Sequence, residues 1–139
     1  VIMGGILDRL PGLKIAFAHG GGSFPFTLGR IAHGHHVRPD LCALETEINP
    51  RDYLDRFYLD SLVHDAHALK FLVEQHGSRR IALGSDYPFP LGEQAPGHLI
   101  RSMEDLAEDQ RRDLLGGTAL EFLGLEGEDR ACDTGGVEE

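Results

Sequence analysis

Tryptophan is absent, and cysteine and methionine occur only twice each. Cys42 and Cys132 stand 90 positions apart, which makes neither a disulfide framework nor a zinc-ligand spacing. A reducing compartment, the cytoplasm, is the expected location. No window approaches the ~18 unbroken apolar residues of a membrane span. The first residues, Val1-Ile2-Met3-Gly4-Gly5, lack the basic start and long apolar core of a signal peptide. Bases are few, 13 Lys and Arg against 23 Asp and Glu for a net charge of −10. Without a basic stripe, nucleic acid is excluded as an expected partner. An initiator methionine is missing too, and the chain opens on what already reads as helix. The expectation is a piece of something longer.

The 139 residues suffice for one domain, and 41% hydrophobic with 26% charged residues is enough apolar material for a core. Acidity concentrates at the end. Residues 124–139 hold Glu126, Glu128, Asp129, Asp133, Glu138 and Glu139 against Arg130 alone, so a solvated, disordered tail is expected there. The domain proper is expected over residues 1–123.

Three short, near-continuous apolar runs, at 14–18, 57–59 and 80–83, read as strands buried on both faces of a parallel sheet. Helices are expected at 6–10, from Pro25 to about Ala32, at 68–75 ahead of Gly77, at 99–106 and at 108–123. Residues 34–49 read as a long connection carrying Pro39. Strand and helix alternate, which argues an α/β architecture with right-handed crossovers. Three parallel strands cannot close a barrel, and an open sheet of three leaves two bare edges.

Each apolar run ends in polar residues: His19 before three glycines, Asp60-Ser61 with His64 shortly after, and Gly84-Ser85-Asp86. The C-terminal ends of parallel strands form one rim, where ligands bind. His19 is suited to general base chemistry or to metal ligation, or else to a carbonyl bond at a strand end. Asp86 is suited to binding a cation, or else to capping the turn that follows it. Arg30, on the helix after His19, matches a carboxylate or a surface ion pair. Phe24, Phe26 and Phe89 are candidates to line an apolar pocket, or core residues. His33-Gly34-His35-His36 looks like a metal cluster, but it follows an expected helix rather than a strand and reads better as flexible, exposed histidines; His64 and His67 read as rim residues, and His76 and His98 as surface. A lipase-type oxyanion strip fails for want of a nucleophile elbow, and a dinucleotide loop fails on its glycine spacing.

Taken in order, several motifs carry a resemblance. They are Ala18-His19-Gly20-Gly21-Gly22-Ser23-Phe24-Pro25-Phe26, Gly29-Arg30-Ile31 and Arg38-Pro39-Asp40-Leu41-Cys42, then Phe57-Tyr58-Leu59-Asp60-Ser61-Leu62-Val63-His64-Asp65. The run from Leu83 through Asp86 and Phe89 to Glu93, and Ala119-Leu120-Glu121-Phe122-Leu123-Gly124-Leu125, complete the series. They resemble the aminocarboxymuconate-semialdehyde decarboxylases, in the decarboxylating branch of the amidohydrolase superfamily. The resemblance implies a (β/α)8 barrel, which needs about 200 residues or more, represented here by its last three βα units.

The resemblance further implies a divalent metal, zinc in most members. It gives His19 the role of acid/base residue, Asp86 that of metal ligand, and Arg30 and Phe89 those of substrate-binding residues. Arg30 would reach a neighbouring subunit's site, which implies a homodimer when the protein is complete. The substrate implied is a small amino-substituted dicarboxylate semialdehyde from aromatic catabolism. The metal would lower the pKa of a water, His19 would take its proton, hydroxide would add to the conjugated substrate, and carbon dioxide would leave. The family's paired histidines and its further histidine ligand have no counterpart in this sequence, so the ligand set is expected to be incomplete. Two other expectations stand beside this one: a relative acting on another acid such as a hydroxybenzoate, and an inactive truncated fragment.

Overall fold

The computed structural model describes residues 1–125. Three strands, β1 (Ala16–Phe17), β2 (Tyr58–Asp60) and β3 (Ile81–Ala82), form a parallel sheet in that order. Ala16 pairs with Tyr58, Phe17 with Leu59, Leu59 with Ile81, and Asp60 with Ala82. All three expected strands are present, and the paired stretches are short at the two edges. β2 has a partner on both sides and buries Tyr58 and Leu59 almost completely.

Around the sheet lie α1 (Ile6–Arg9), α2 (Phe24–Val37), α3 (Pro39–Cys42), α4 (Ala66–His76), α5 (His98–Ser102), α6 (Glu108–Arg112) and α7 (Thr118–Leu123). The core gathers Leu7, Phe57, Leu59, Leu69, Ile81 and Leu114 with their neighbours. It therefore draws on α1, the approach to β2, the strands, α4 and the last helical run. Among the described residues no helix is long and apolar enough to cross a membrane.

Several expectations change. α2 does not stop near Ala32 but continues through Gly34 to Val37, and the connection 34–49 contains α3. The cause is tertiary. Ala32 and His35 are buried, and His35 Nε2 lies 3.2 Å from the Thr46 carbonyl. That burial outweighs the helix cost of about 1 kcal/mol for one glycine. His35 is thus no flexible surface histidine, whereas His33 and His36 are exposed as expected.

α5 ends at Ser102 rather than 106. The Arg111 guanidinium donates to the Ile100 and Met103 carbonyls, both at 2.8 Å, and so satisfies a helix end that would otherwise be orphaned. The run 108–123 is helical throughout, but Asp113–Gly117 is a π-helical turn. Ser78 clamps it from both sides: its hydroxyl donates to Asp113 at 2.7 Å, and its carbonyl accepts from the Thr118 hydroxyl at 3.0 Å.

α7 closes with a Schellman cap. Gly124 N–H donates to Glu121 O, and Leu125 N–H to Leu120 O. The acidic tail is expected over 124–139, but Gly124 and Leu125 form this cap; residues 126–139 lie outside the described residues.

His76 is the clearest correction. It was expected at the surface, yet it is 9% exposed, with its ring edge-on to Phe57 at 5.9 Å between centroids. Leu69, Leu72, Val73 and His76 form one apolar stripe of α4, and a stripe at that spacing faces the core whichever side chain completes it.

Candidate active site

The rim at the C-terminal ends of the three strands is built from unusual backbone. Among the described residues, three non-glycine residues have positive φ: His19 at 57°, His64 at 53° and Asp86 at 55°. Each stands just past the end of one strand. Histidine and aspartate enter the left-handed region more readily than most side chains. Even so, such residues cost about 1–3 kcal/mol each, persist only where their surroundings over-determine them, and gather at functional sites.

After β1 the chain turns through His19–Gly21. Gly20 is required there twice over. Its φ is 59°, and a Cβ would stand 2.7 Å from both Leu72 Cδ1 and Val63 Cγ1. The turn is pinned from β2, where Asp60 Oδ1 accepts the Gly20 N–H at 2.9 Å and the Leu62 N–H at 3.2 Å. After β3, the Gly84 N–H reaches Ser61 Oγ at 3.3 Å. Beyond Asp86 the chain folds back, with Phe89 N–H donating to Asp86 O at 2.8 Å and Glu93 N–H to Ser85 O at 2.9 Å.

These turns bring His19 and Asp86 together, with Nε2 and Oδ1 3.6 Å apart. The imidazole is 62% exposed and the carboxylate 26%. The separation is too long for a direct hydrogen bond and suits two groups sharing an intervening water or ion.

The other candidates are placed differently. Arg30 is exposed on α2, with no ion pair among the described residues. Phe89 is 65% exposed and Phe26 86% exposed, so only Phe24 joins an apolar cavity, of about 290 Å³, with Ile2, Phe17, Ile31, Phe57 and Leu59. His64 lines a second cavity of about 440 Å³ with Glu93, His98, Leu99 and Ser102. His67 is exposed beside it in sequence. The sequence alone does not single out Asp60, Ser61 and Gly84, which hold these turns. The signal was present as a polar pair closing the middle strand, but which neighbours that pair would hold is not written in one strand.

One carboxylate with one imidazole beside it falls short of the three or four protein donors that a zinc centre uses. Among the described residues no group of three or more His, Cys, Asp or Glu side chains could hold a metal ion. The rim therefore offers part of a ligand set and does not by itself fit a resident metal.

Residues 1–125 match the amidohydrolase family profile, and the chain belongs to that family. The sheet and its helices are about three consecutive βα units of a (β/α)8 barrel. Over 126 residues the chain is 60% identical to the 2-amino-3-carboxymuconate-6-semialdehyde decarboxylase of Dictyostelium discoideum, covering 91% of this chain and 35% of that protein. It is 44% identical to the Caenorhabditis elegans protein of the same name, covering 91% and 31%. The chain thus spans about a third of the length of these curated relatives.

Among solved structures, 5-carboxyvanillate decarboxylase from Sphingomonas paucimobilis superposes with a TM-score of 0.75 at 30% identity, over 87% of this chain and 36% of that one. A dihydroxybenzoic acid decarboxylase from Polaromonas, solved with bound manganese, gives a TM-score of 0.72 at 22% identity, over 89% and 37%. This second likeness shows the fold alone.

Proposed function

We propose that the chain carries the His19–Asp86 side of the active site of a divalent-metal-dependent, non-oxidative decarboxylase. Its substrate in this reading is 2-amino-3-carboxymuconate 6-semialdehyde or a close analogue. The observation that carries the proposal is the 3.6 Å approach of His19 Nε2 to Asp86 Oδ1 across the strand ends. The 60% identity to the Dictyostelium decarboxylase supports the substrate assignment.

His19 is the proton-transfer group. Its ring is exposed at the rim and reachable by substrate, and an imidazole takes up and returns a proton near neutral pH. Asp86 would contribute one carboxylate donor toward a divalent cation, zinc in our reading, and the remaining donors would have to come from residues other than those described. When bound, the cation supplies Lewis-acid charge. Arg30, exposed and without an ion pair among the described residues, is free to pair a substrate carboxylate across a homodimer contact. Phe89 offers an apolar face beside the same rim.

In the complete enzyme, His19→Ala should lower turnover by about 10²-fold or more while bound metal, measured by elemental analysis, stays at the wild-type level. Asp86→Ala should lose metal. Equal metal loss in both variants would defeat this division of roles.

A second reading changes only the substrate. It is favoured by the 30% identity to the 5-carboxyvanillate enzyme and by a 6-methylsalicylic acid decarboxylase of Penicillium expansum, also 30% identical. Carbon dioxide release from the muconate semialdehyde, and none from 5-carboxyvanillate or a hydroxybenzoate, is the outcome that keeps the first reading.

A further inference from the structure

We infer that Asp60 is a positioning residue: its carboxylate is the brace that holds the His19 turn and the Asp86 turn at their working separation. The inference rests on the role proposed for His19 and Asp86 and extends it to a residue that touches neither reacting group.

Asp60 ends β2, the one strand among the described residues with a neighbour on both sides. Toward β1, its Oδ1 accepts the N–H of Gly20, the residue after His19, at 2.9 Å. All three residues of that turn have positive φ, His19 at 57°, Gly20 at 59° and Gly21 at 77°. Among the described residues, this bond is the one hydrogen bond that reaches the turn from a neighbouring strand, beside the turn's own contacts to Ala18 O and His19 O.

Toward β3, Gly84 stands two residues before Asp86. A Cβ at Gly84 would lie 2.9 Å from Asp60 Cβ and 3.0 Å from Oδ2. The carboxylate is therefore seated between the two turns, with no room on the β3 side. Ser61 reinforces the same side, its N–H donating to Ala82 O at 2.9 Å and its Oγ accepting from Gly84 N–H at 3.3 Å.

Asp60 has no ion pair among the described residues. Its partners are N–H groups of Gly20 and Leu62. What the site draws from it is an acceptor oxygen at a set place rather than a negative charge, so asparagine should substitute and alanine should not.

The test compares Asp60→Ala, Asp60→Asn, His19→Ala and the His19→Ala/Asp60→Ala pair in the complete enzyme. Misplacing a reacting group by a fraction of an ångström to an ångström costs up to about 10²-fold. Asp60→Ala should therefore lower kcat about 10- to 100-fold with KM nearly unchanged, and Asp60→Asn should restore most of it. The double variant should be slower than His19→Ala by a smaller factor than Asp60→Ala costs in the wild-type background, because the part of the brace that acts through His19 is already lost. Wild-type kcat in Asp60→Ala, equal impairment in Asp60→Asn, or multiplying losses in the double variant would each overturn the brace.

Amide hydrogen exchange supplies a readout independent of the reaction. Exchange at Gly20 should rise in Asp60→Ala while Leu69 and Leu72, in the core of α4, keep their protection; unchanged exchange at Gly20 overturns the inference. If that exchange pattern holds but the wild type decarboxylates nothing, the reaction reading falls and the brace stands. Should Asp60→Ala fail to fold, Gly84→Ala, which displaces the carboxylate without removing a hydrogen-bonding group, is read by the same criteria.

Discussion

His76 is neutral because of where α4 puts it. Both ring nitrogens lack a hydrogen-bond partner among the described residues, and burial pushes the imidazole down to about 4. In the unfolded chain the same ring titrates near 6.5. As pH falls, the unfolded chain therefore binds its proton first. The stability tied to the neutral ring is fully present above about pH 6.5 and is lost as pH drops toward 4, by at most about 3 kcal/mol. Thermal unfolding at pH 7 and pH 4.5 should show a smaller acid-induced fall for His76→Leu than for the wild type. Parallel falls would remove His76 from the account. A histidine letter in a sequence does not announce this, but three aliphatic residues at helical spacing ahead of it do. By contrast, His19 and Asp86 were legible one by one, because each follows an apolar strand run.

α4 starts where it does because Asp65 caps it. The side chain accepts the Ala68 N–H at 2.8 Å while Asp65 itself stays extended. Asp65→Ala should cost about 1 kcal/mol in urea unfolding, and Asp65→Asn should recover most of that. No change in midpoint for the alanine variant would mean that water caps this helix equally well. The last helical run is held at the other end of the sheet. There, Glu121 accepts from Arg79, Arg80 and the Tyr58 hydroxyl at 2.8–3.0 Å, and Arg80 lies 4.8 Å above the Tyr58 ring. Burial works against the Glu121 carboxylate, yet the two guanidinium groups and the phenol outweigh it and keep its pKa below the usual range. Lys14 donates to the Glu121 and Phe122 carbonyls at the same helix end. Helix existence followed from periodicity here. The π turn and the early end of α5 did not, since both depend on Ser78 and Arg111 arriving from elsewhere in the chain.

Three strands leave β1 and β3 each with one unpaired edge among the described residues, and the chain covers about a third of its curated relatives. A barrel rim is assembled from all its strands, so three of them present only part of it. The 139-residue chain expressed alone should accordingly retain well under one equivalent of zinc after dialysis. One tightly held equivalent, together with a cooperative thermal transition, would show that the described rim is sufficient and that the donor count misjudges it.

Strand and helix order, the polar strand ends and the family motifs lie in the linear chain, because periodicity and short motifs are local properties. The His19–Asp86 approach, the seat of Asp60 between two glycines and the burial of His35 and His76 are contacts between elements far apart in sequence. They exist only once parallel pairing has set three strand ends side by side, which no stretch of the linear chain specifies.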